Sequence, residues 1–162
     1  LPSPYASSKL DGEQLVMASG LETVVFRMFN VYGPGQNRVG SYAAVIPEFI
    51  EKMGKNQELE VYGDGNQTRD FIYIDDVVGA FAAAIENETP VGIYNLASGR
   101  GTSILDMVAA MERIYSRPAT ISFKPGRAGD IRHSCADITK IKNEMGFEPK
   151  IDLEVGIKTC LP

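Results

Sequence analysis

The sequence predicts an α/β fold with parallel strands, and three observations carry that expectation. Apolar periodicity alternates along the chain between helical spacing and short β-branched runs. Two of those runs, residues 22–29 and 91–97, read as buried central strands. The composition is that of a folded domain: 44% hydrophobic and 23% charged over 162 residues, enough for a core and unlike a disordered chain.

The elements follow in order. Residues 5–19 read as a helix entered through Ser3-Pro4 and stopped by Gly20. Residues 22–29 contain the β-branched and aromatic run TVVFRMF, and Gly33-Pro34-Gly35 then breaks the chain into a loop. Residues 42–53 suggest a helix presenting Val45, Ile46, Phe49 and Met53, and 58–62 a short strand ended by Gly63-Asp64-Gly65. Asp75 is the expected N-cap of a helix to about residue 87, with Val77, Val78, Phe81 and Ile85 inward. After strand 91–97, Thr102 or Ser103 caps a helix through Tyr115. A strand at 120–123 comes next, then short helices at 138–145 and 152–160. Two central strands make a poor sheet, because three or more are usually needed for independent stability. The chain also opens Leu1-Pro2-Ser3-Pro4 with no Met, so it is expected to be a piece of something longer.

The net charge is −5 and the calculated pI about 4.9, which excludes a general affinity for nucleic acid or anionic membrane. Any phosphate binding must come from a few placed arginines. Cys135 and Cys160, without a CxxC, argue against a disulfide framework. They are expected as packed apolar residues in a reducing, cytoplasmic setting. No apolar run reaches the length of a membrane span, and no signal peptide is recognisable. His133 is the single histidine, and no metal-ligand spacing is present, so no metal is expected.

Four stretches carry chemistry. The first is P-Y-A-S-S-K, in which Tyr5 and Lys9 stand at i and i+4 on one helix face. A tyrosine beside an ammonium can serve as an acid-base group for a hydroxyl, although such a pair also arises by chance. The others are R-M-F-N-V-Y-G-P-G-Q at 27–36, V-Y-G-D-G-N-Q-T-R-D-F-I-Y-I-D-D-V-V at 61–78, and G-R-A-G-D at 126–130. Arg69 and Arg127 suit phosphate, because a guanidinium makes bidentate charge-assisted bonds. Asp130 can accept from ribose hydroxyls, and Tyr62 offers a flat face to a base. On residue type alone, Arg69 beside Asp70 also fits a surface ion pair, Tyr62 fits strand packing, and Asn30 fits a turn. Asp75-Asp76 fits a helix N-terminus better than an acidic site.

In this order, the four stretches resemble the extended short-chain dehydrogenase/reductases, the NAD-dependent epimerase/dehydratase family, over essentially the whole chain. The resemblance implies the C-terminal portion of a Rossmann-type doubly wound fold, with about two parallel sheet strands, plus a small α/β nucleotide-sugar-binding domain. Residues 1–41 would close the NAD-binding domain. Residues 42–162 would be mostly the substrate domain, with 75–97 returning a helix and a strand to the Rossmann sheet.

The resemblance also implies roles. Tyr5 would be the general acid-base, and Lys9 would hold the nicotinamide ribose and favour the Tyr5 phenolate. Phe29 would lie along the nicotinamide. Asn30, Ala44, Val45, Val61, Tyr62, Arg69, Arg127 and Asp130 would bind the nucleotide sugar, a UDP-sugar best of all. The implied activity is that of a UDP-hexose 4-epimerase, acting by transient NAD-dependent oxidation at C4. Segments SYAAVIPEFI and FNVYGPGQN look more like the 4-epimerases than like the 4,6-dehydratases or decarboxylases, which remain the alternative within the family. The family's G-x-x-G-x-x-G cradle for the NAD pyrophosphate does not follow a strand in this sequence. The chain alone is therefore expected to turn over little or nothing. It is also expected to expose the apolar flank of strand 22–29, and so to form a homo-oligomer or depend on the N-terminal half. Two rivals from other classes are a non-catalytic nucleotide-sugar-binding module and a purely structural oligomer.

Overall fold

A computed structural model describes residues 3–37, 44–86, 90–127 and 129–162. Helix α1 spans Pro4–Met17: the Ser3 hydroxyl accepts from the Ala6 N–H at 3.1 Å and Pro4 opens the first turn. Strands β1 (Val24–Met28) and β2 (Asn30–Tyr32) follow, then helix α2 (Val45–Gly54). Strand β3 (Leu59–Tyr62) and strand β4 (Thr68–Tyr73) lead into helix α3 (Ile74–Glu86). Strands β5 (Gly92–Leu96) and β6 (Gly101–Ser103) precede helix α4 (Ile104–Tyr115), capped by the Ser103 hydroxyl on the Asp106 N–H at 2.9 Å. Strand β7 (Ile121–Lys124) and short helices α5 (Thr139–Met145) and α6 (Leu153–Thr159) complete the order.

Among the described residues the strands form three small sheets. β1 pairs with β5 in parallel, β3 pairs with β7 in parallel, and β4 lies between a parallel β2 and an antiparallel β6. The parallel expectation for 22–29 and 91–97 holds, Val24 facing Gly92 and Met28 facing Leu96. Three strands were not expected: β2, β4 and β6. The 68–73 stretch hides its strand by mixing charges with apolar residues.

β4 is the wall between two cores. Side chains alternate across a strand, and Phe71 and Tyr73 enter the larger core with Phe49, Leu59, Met107, Met111 and Ile157. Ile72 enters the other, with Val77, Tyr94, Leu96 and Ile141. Helices α2, α4 and α6 cover the first core, and α3 and α5 the second.

Gly156 lets α6 approach. A Cβ there would lie 2.8 Å from Tyr73 Cδ2 and 2.9 Å from Tyr32 Cε2. Both rings are held, Tyr73 by a 2.7 Å hydroxyl bond with Thr159 and Tyr32 by its edge-to-face packing on Tyr73. Gly156→Ala is expected to cost about 1–3 kcal/mol by overpacking. Gly79, in the interior of α3 with open space around it, gives the opposite sign, with Gly79→Ala gaining about 0.5–1 kcal/mol. Urea unfolding of the two variants checks the contrast.

Burial sets an alkaline limit. The Tyr94 hydroxyl shares its one proton between Pro90 O at 2.7 Å and Glu144 Oε2 at 2.8 Å, and burial first, then Glu144, pushes its phenol up to about 12. Burial pushes Tyr32 well above the usual phenol range too. Because both folded values exceed the unfolded value near 10, the stabilisation is complete below pH 10 and is lost as pH rises toward 12 and beyond. Melting temperature is expected to fall across that window.

Several expectations need correction. Helix α3 begins at Ile74, so Asp75 sits in its first turn and is not the cap. Of the four residues expected inward, Val77 alone is buried; Val78, Phe81 and Ile85 are 57%, 42% and 83% exposed. α3 is apolar nearly all round, and the spacing could not choose its inner face. Strand β1 is half-exposed, because among the described strands it has one neighbour, and Met28 stands open on it. Helix α1 buries no residue; a bidentate pair from Arg27 to Glu13, both bonds 2.7 Å, ties it to β1. Among the described residues, no helix is long and apolar enough to cross a membrane.

Candidate active site

Between β3, the start of α2 and the 125–130 loop lies an open cleft of about 210 Å³. Asn30, Val45, Val61, Tyr62, Arg69, Arg127 and Asp130 all line it, with Phe49 and Ile104 at its floor. These seven come from five separate parts of the chain, and each was expected to bind a nucleotide sugar. Ala44 is not among the lining residues; it is the N-cap of α2 and has no side chain to cap the first turn. The uncapped N–H groups at that end favour an anion.

The fork of Arg69 is set by its backbone surroundings. One terminal nitrogen donates to Thr68 O at 2.8 Å and Ile131 O at 2.6 Å, and the other donates to Asp130 Oδ1. Of the five guanidinium N–H groups, these bonds use three and leave two for other partners, and Arg69 lines the cleft. The side chain is 18% exposed, so its charge is partly shielded from water and its bonds are strengthened. Arg127 lies over the Tyr62 ring, 4.0 Å from its centroid, in cation–π contact. Gln67 closes the turn behind them by donating to Tyr62 O at 2.7 Å. Arg132 forks onto Asp64 at 2.7 and 3.0 Å, which holds the Asp64 carboxyl well below the usual carboxylate range. That pair fastens the 63–65 turn to the segment after Asp130.

Tyr5 and Lys9 share a face of α1, with the ammonium 5.5 Å from the ring centroid. Tyr5 is 72% exposed. Because Glu13 meets Arg27 near the end of β1, the eight residues back to Tyr5 carry it about 12 Å further along the helix. Phe29 donates its N–H to Leu96 O at 3.1 Å and packs half-buried against the second core. Tyr5, Lys9 and Phe29 are of types that suit the nicotinamide end of a dinucleotide, while Gly12, within α1, and Gly20, just beyond it, have open space around them and form no cradle.

Residue-by-residue reading missed Asp70. It is fully buried and does not pair with Arg69, which corrects the surface-ion-pair alternative. Strand alternation sends Arg69 to the cleft and Asp70 to the opposite face, a signal that a strand assignment over 68–73 would have given. Cys135 also departs from expectation. It is exposed while Cys160 is buried, and its Sγ reaches 3.7 Å from Asp70. Burial of the sulfur, then the nearby carboxylate, pushes its thiol up.

Residues 2–97 match the family model described as the NAD dependent epimerase/dehydratase family. A putative UDP-glucose 4-epimerase of Methanocaldococcus jannaschii is 40% identical over 163 residues, covering 96% of this chain and 51% of that protein. UDP-glucuronic acid decarboxylase 1 of Arabidopsis thaliana is 34% identical over 159 residues, covering 96% and 36%. Among solved structures, UDP-glucuronic acid 4-epimerase from Bacillus cereus, in complex with UDP-glucuronic acid and NAD, superposes with a TM-score of 0.87 at 32% identity, covering 98% of this chain and 51% of that one. The chain spans about half the length of the curated relatives it matches.

Proposed function

This chain belongs to the NAD dependent epimerase/dehydratase family, and from that premise we propose that it carries the nucleotide-sugar-holding half of a UDP-hexose 4-epimerase. One observation carries the reading: a single cleft gathers Arg69, Arg127, Tyr62 and Asn30 from separated elements. The free donors of Arg69 take the diphosphate, with the uncapped end of α2 adding its positive field. Tyr62 and Val61 border the base. Asp130 and Arg127 hold ribose and phosphate. Held by its diphosphate, the hexose reaches toward the face of α1, where Tyr5 accepts the C4 hydroxyl proton and later returns it. Lys9, one turn away, holds the nicotinamide ribose. Bound NAD supplies the acceptor and donor of hydride at C4. A firm grip on the diphosphate with a loose grip on the hexose is what lets the sugar present either face between the two proton transfers.

On this reading residues 1–41 with 75–97 belong to the NAD-binding domain and the remainder to the substrate domain. The exposed flank of β1 and α3 supports a dependence on further protein surface, either the rest of a longer enzyme or a second copy. The chain alone turns over little or nothing, because the pyrophosphate cradle is not in this sequence. A decarboxylase of the same family is the second reading, favoured by the Arabidopsis relative.

Calorimetric titration tests the proposal. The chain is expected to bind UDP-glucose and UDP, and to bind NAD weakly or not at all. Absence of UDP-sugar binding would overturn it. Product analysis with UDP-glucuronate, on a longer polypeptide carrying this sequence, separates epimer from pentose.

A further inference from the structure

A carboxylate removed from water must be answered by donors. Asp70 is answered by neutral ones: Ser98 N–H at 2.8 Å, Ser98 hydroxyl at 2.6 Å, Gly99 N–H at 3.0 Å and Ala136 N–H at 3.1 Å. Neutral donors leave the charge expensive to keep, and a pair of apolar groups would fill the space at lower cost. The retained carboxylate does something that an apolar pair could not: it joins two chain segments to β4.

One of those segments also aims Arg69. Residues 131–136 run along β4 by successive ties. Ile131 O accepts from Arg69 at 2.6 Å, Arg132 O accepts from Thr68 N–H at 2.9 Å, and Ser134 N–H donates to Thr68 O at 3.1 Å. Ala136 N–H then donates to Asp70. Arg69 and Asp70 therefore grip the two ends of one segment from opposite faces of the strand. If the Asp70 end is released, the segment is held by Thr68, Arg69 and the Arg132–Asp64 pair alone, and Ile131 O and Asp130, which orient the guanidinium, are fixed less firmly.

We infer that Asp70 is a positioning residue for the cleft, setting the direction of Arg69 through the 131–136 segment. The inference rests on the nucleotide-sugar reading for its ligand, not for its geometry. Asp70→Asn keeps the size but cannot accept all four bonds. It is expected to weaken UDP binding by about tenfold or more. It is also expected to move the side-chain Nε–H NMR signal of Arg69, identified by its loss in Arg69→Ala.

Asp76→Asn is the control. Asp76 is the other buried carboxylate among the described residues; it accepts from the Lys150 and Ile151 N–H groups, away from this segment. It is expected to lower stability comparably while leaving UDP binding and the Arg69 signal in place. Ser98→Ala removes a single donor and serves if Asp70→Asn does not fold, with a weakening of about two- to fivefold. Unchanged UDP affinity and an unmoved Arg69 signal in a folded variant overturn the inference, as does an equal loss in Asp76→Asn. If the unmodified chain binds no UDP, the functional reading falls, and the Arg69 signal still decides the positioning role.

Discussion

Arg69→Ala is expected to weaken UDP and UDP-glucose binding by a factor of about 100 or more. The two guanidinium donors left for other partners would make charge-assisted bonds to the diphosphate, each worth about 1.5–3 kcal/mol, and about 3 kcal/mol corresponds to that factor. Loss of Arg69 also frees Ile131 O and Asp130, which turns the cleft more negative where the ligand is most negative. Arg69→Lys keeps the charge but not the fork, so it is expected to recover part of the affinity and to remain about tenfold weak. Calorimetry at two salt concentrations checks both, since the wild-type affinity should fall with salt and the alanine variant should be less sensitive. Affinity within threefold of the wild type would remove Arg69 from the binding machinery.

Phe49→Ala carries the largest expected cost in stability. The ring is 1% exposed on α2, within the larger core. Truncating a buried phenylalanine costs about 3–5 kcal/mol, the lost transfer energy plus the cavity left behind. A domain of this size has about 5–15 kcal/mol in all, so the variant should unfold at much lower urea. Phe49→Leu is expected to cost less, about 1.5 kcal/mol, if α2 can close on the smaller side chain. Phe49 also floors the cleft. UDP binding should therefore fall in Phe49→Ala even at temperatures where the chain remains folded. A loss below about 1 kcal/mol would mean that α2 packs elsewhere in solution.

What the sequence made legible were local signals with a mechanism. Ser3 and Ser103 cap their helices as side-chain acceptors, and Gly146 ends α5. The alternating Tyr94 and Leu96 mark a buried strand. The site was legible by residue type, since arginines for phosphate and a tyrosine–lysine pair are chemical statements. Illegible were features that depend on which way a side chain faces. Val78, Phe81 and Ile85 sit on a helix apolar nearly all round, and only its packing against β4 and β2 selects Val77 and Ala80 as the inner face. Arg69 and Asp70 are neighbours in sequence and suggest each other as partners. A two-residue side-chain period separates them, and the strand that imposes it was concealed by its own charges. Cys135 followed the same pattern: its neighbour Ala136 is buried, and the alternation leaves Cys135 exposed.

The two-faced strand between the cores makes the cleft unusually sensitive to reading-frame-preserving insertions. One extra residue ahead of position 69 would exchange inside for outside along the whole strand. The guanidinium would be driven into the apolar interior and the carboxylate delivered to the ligand side, converting an anion receptor into an anion repellent in one step. This hexapeptide cannot drift by even a single position without reversing the polarity of what it serves.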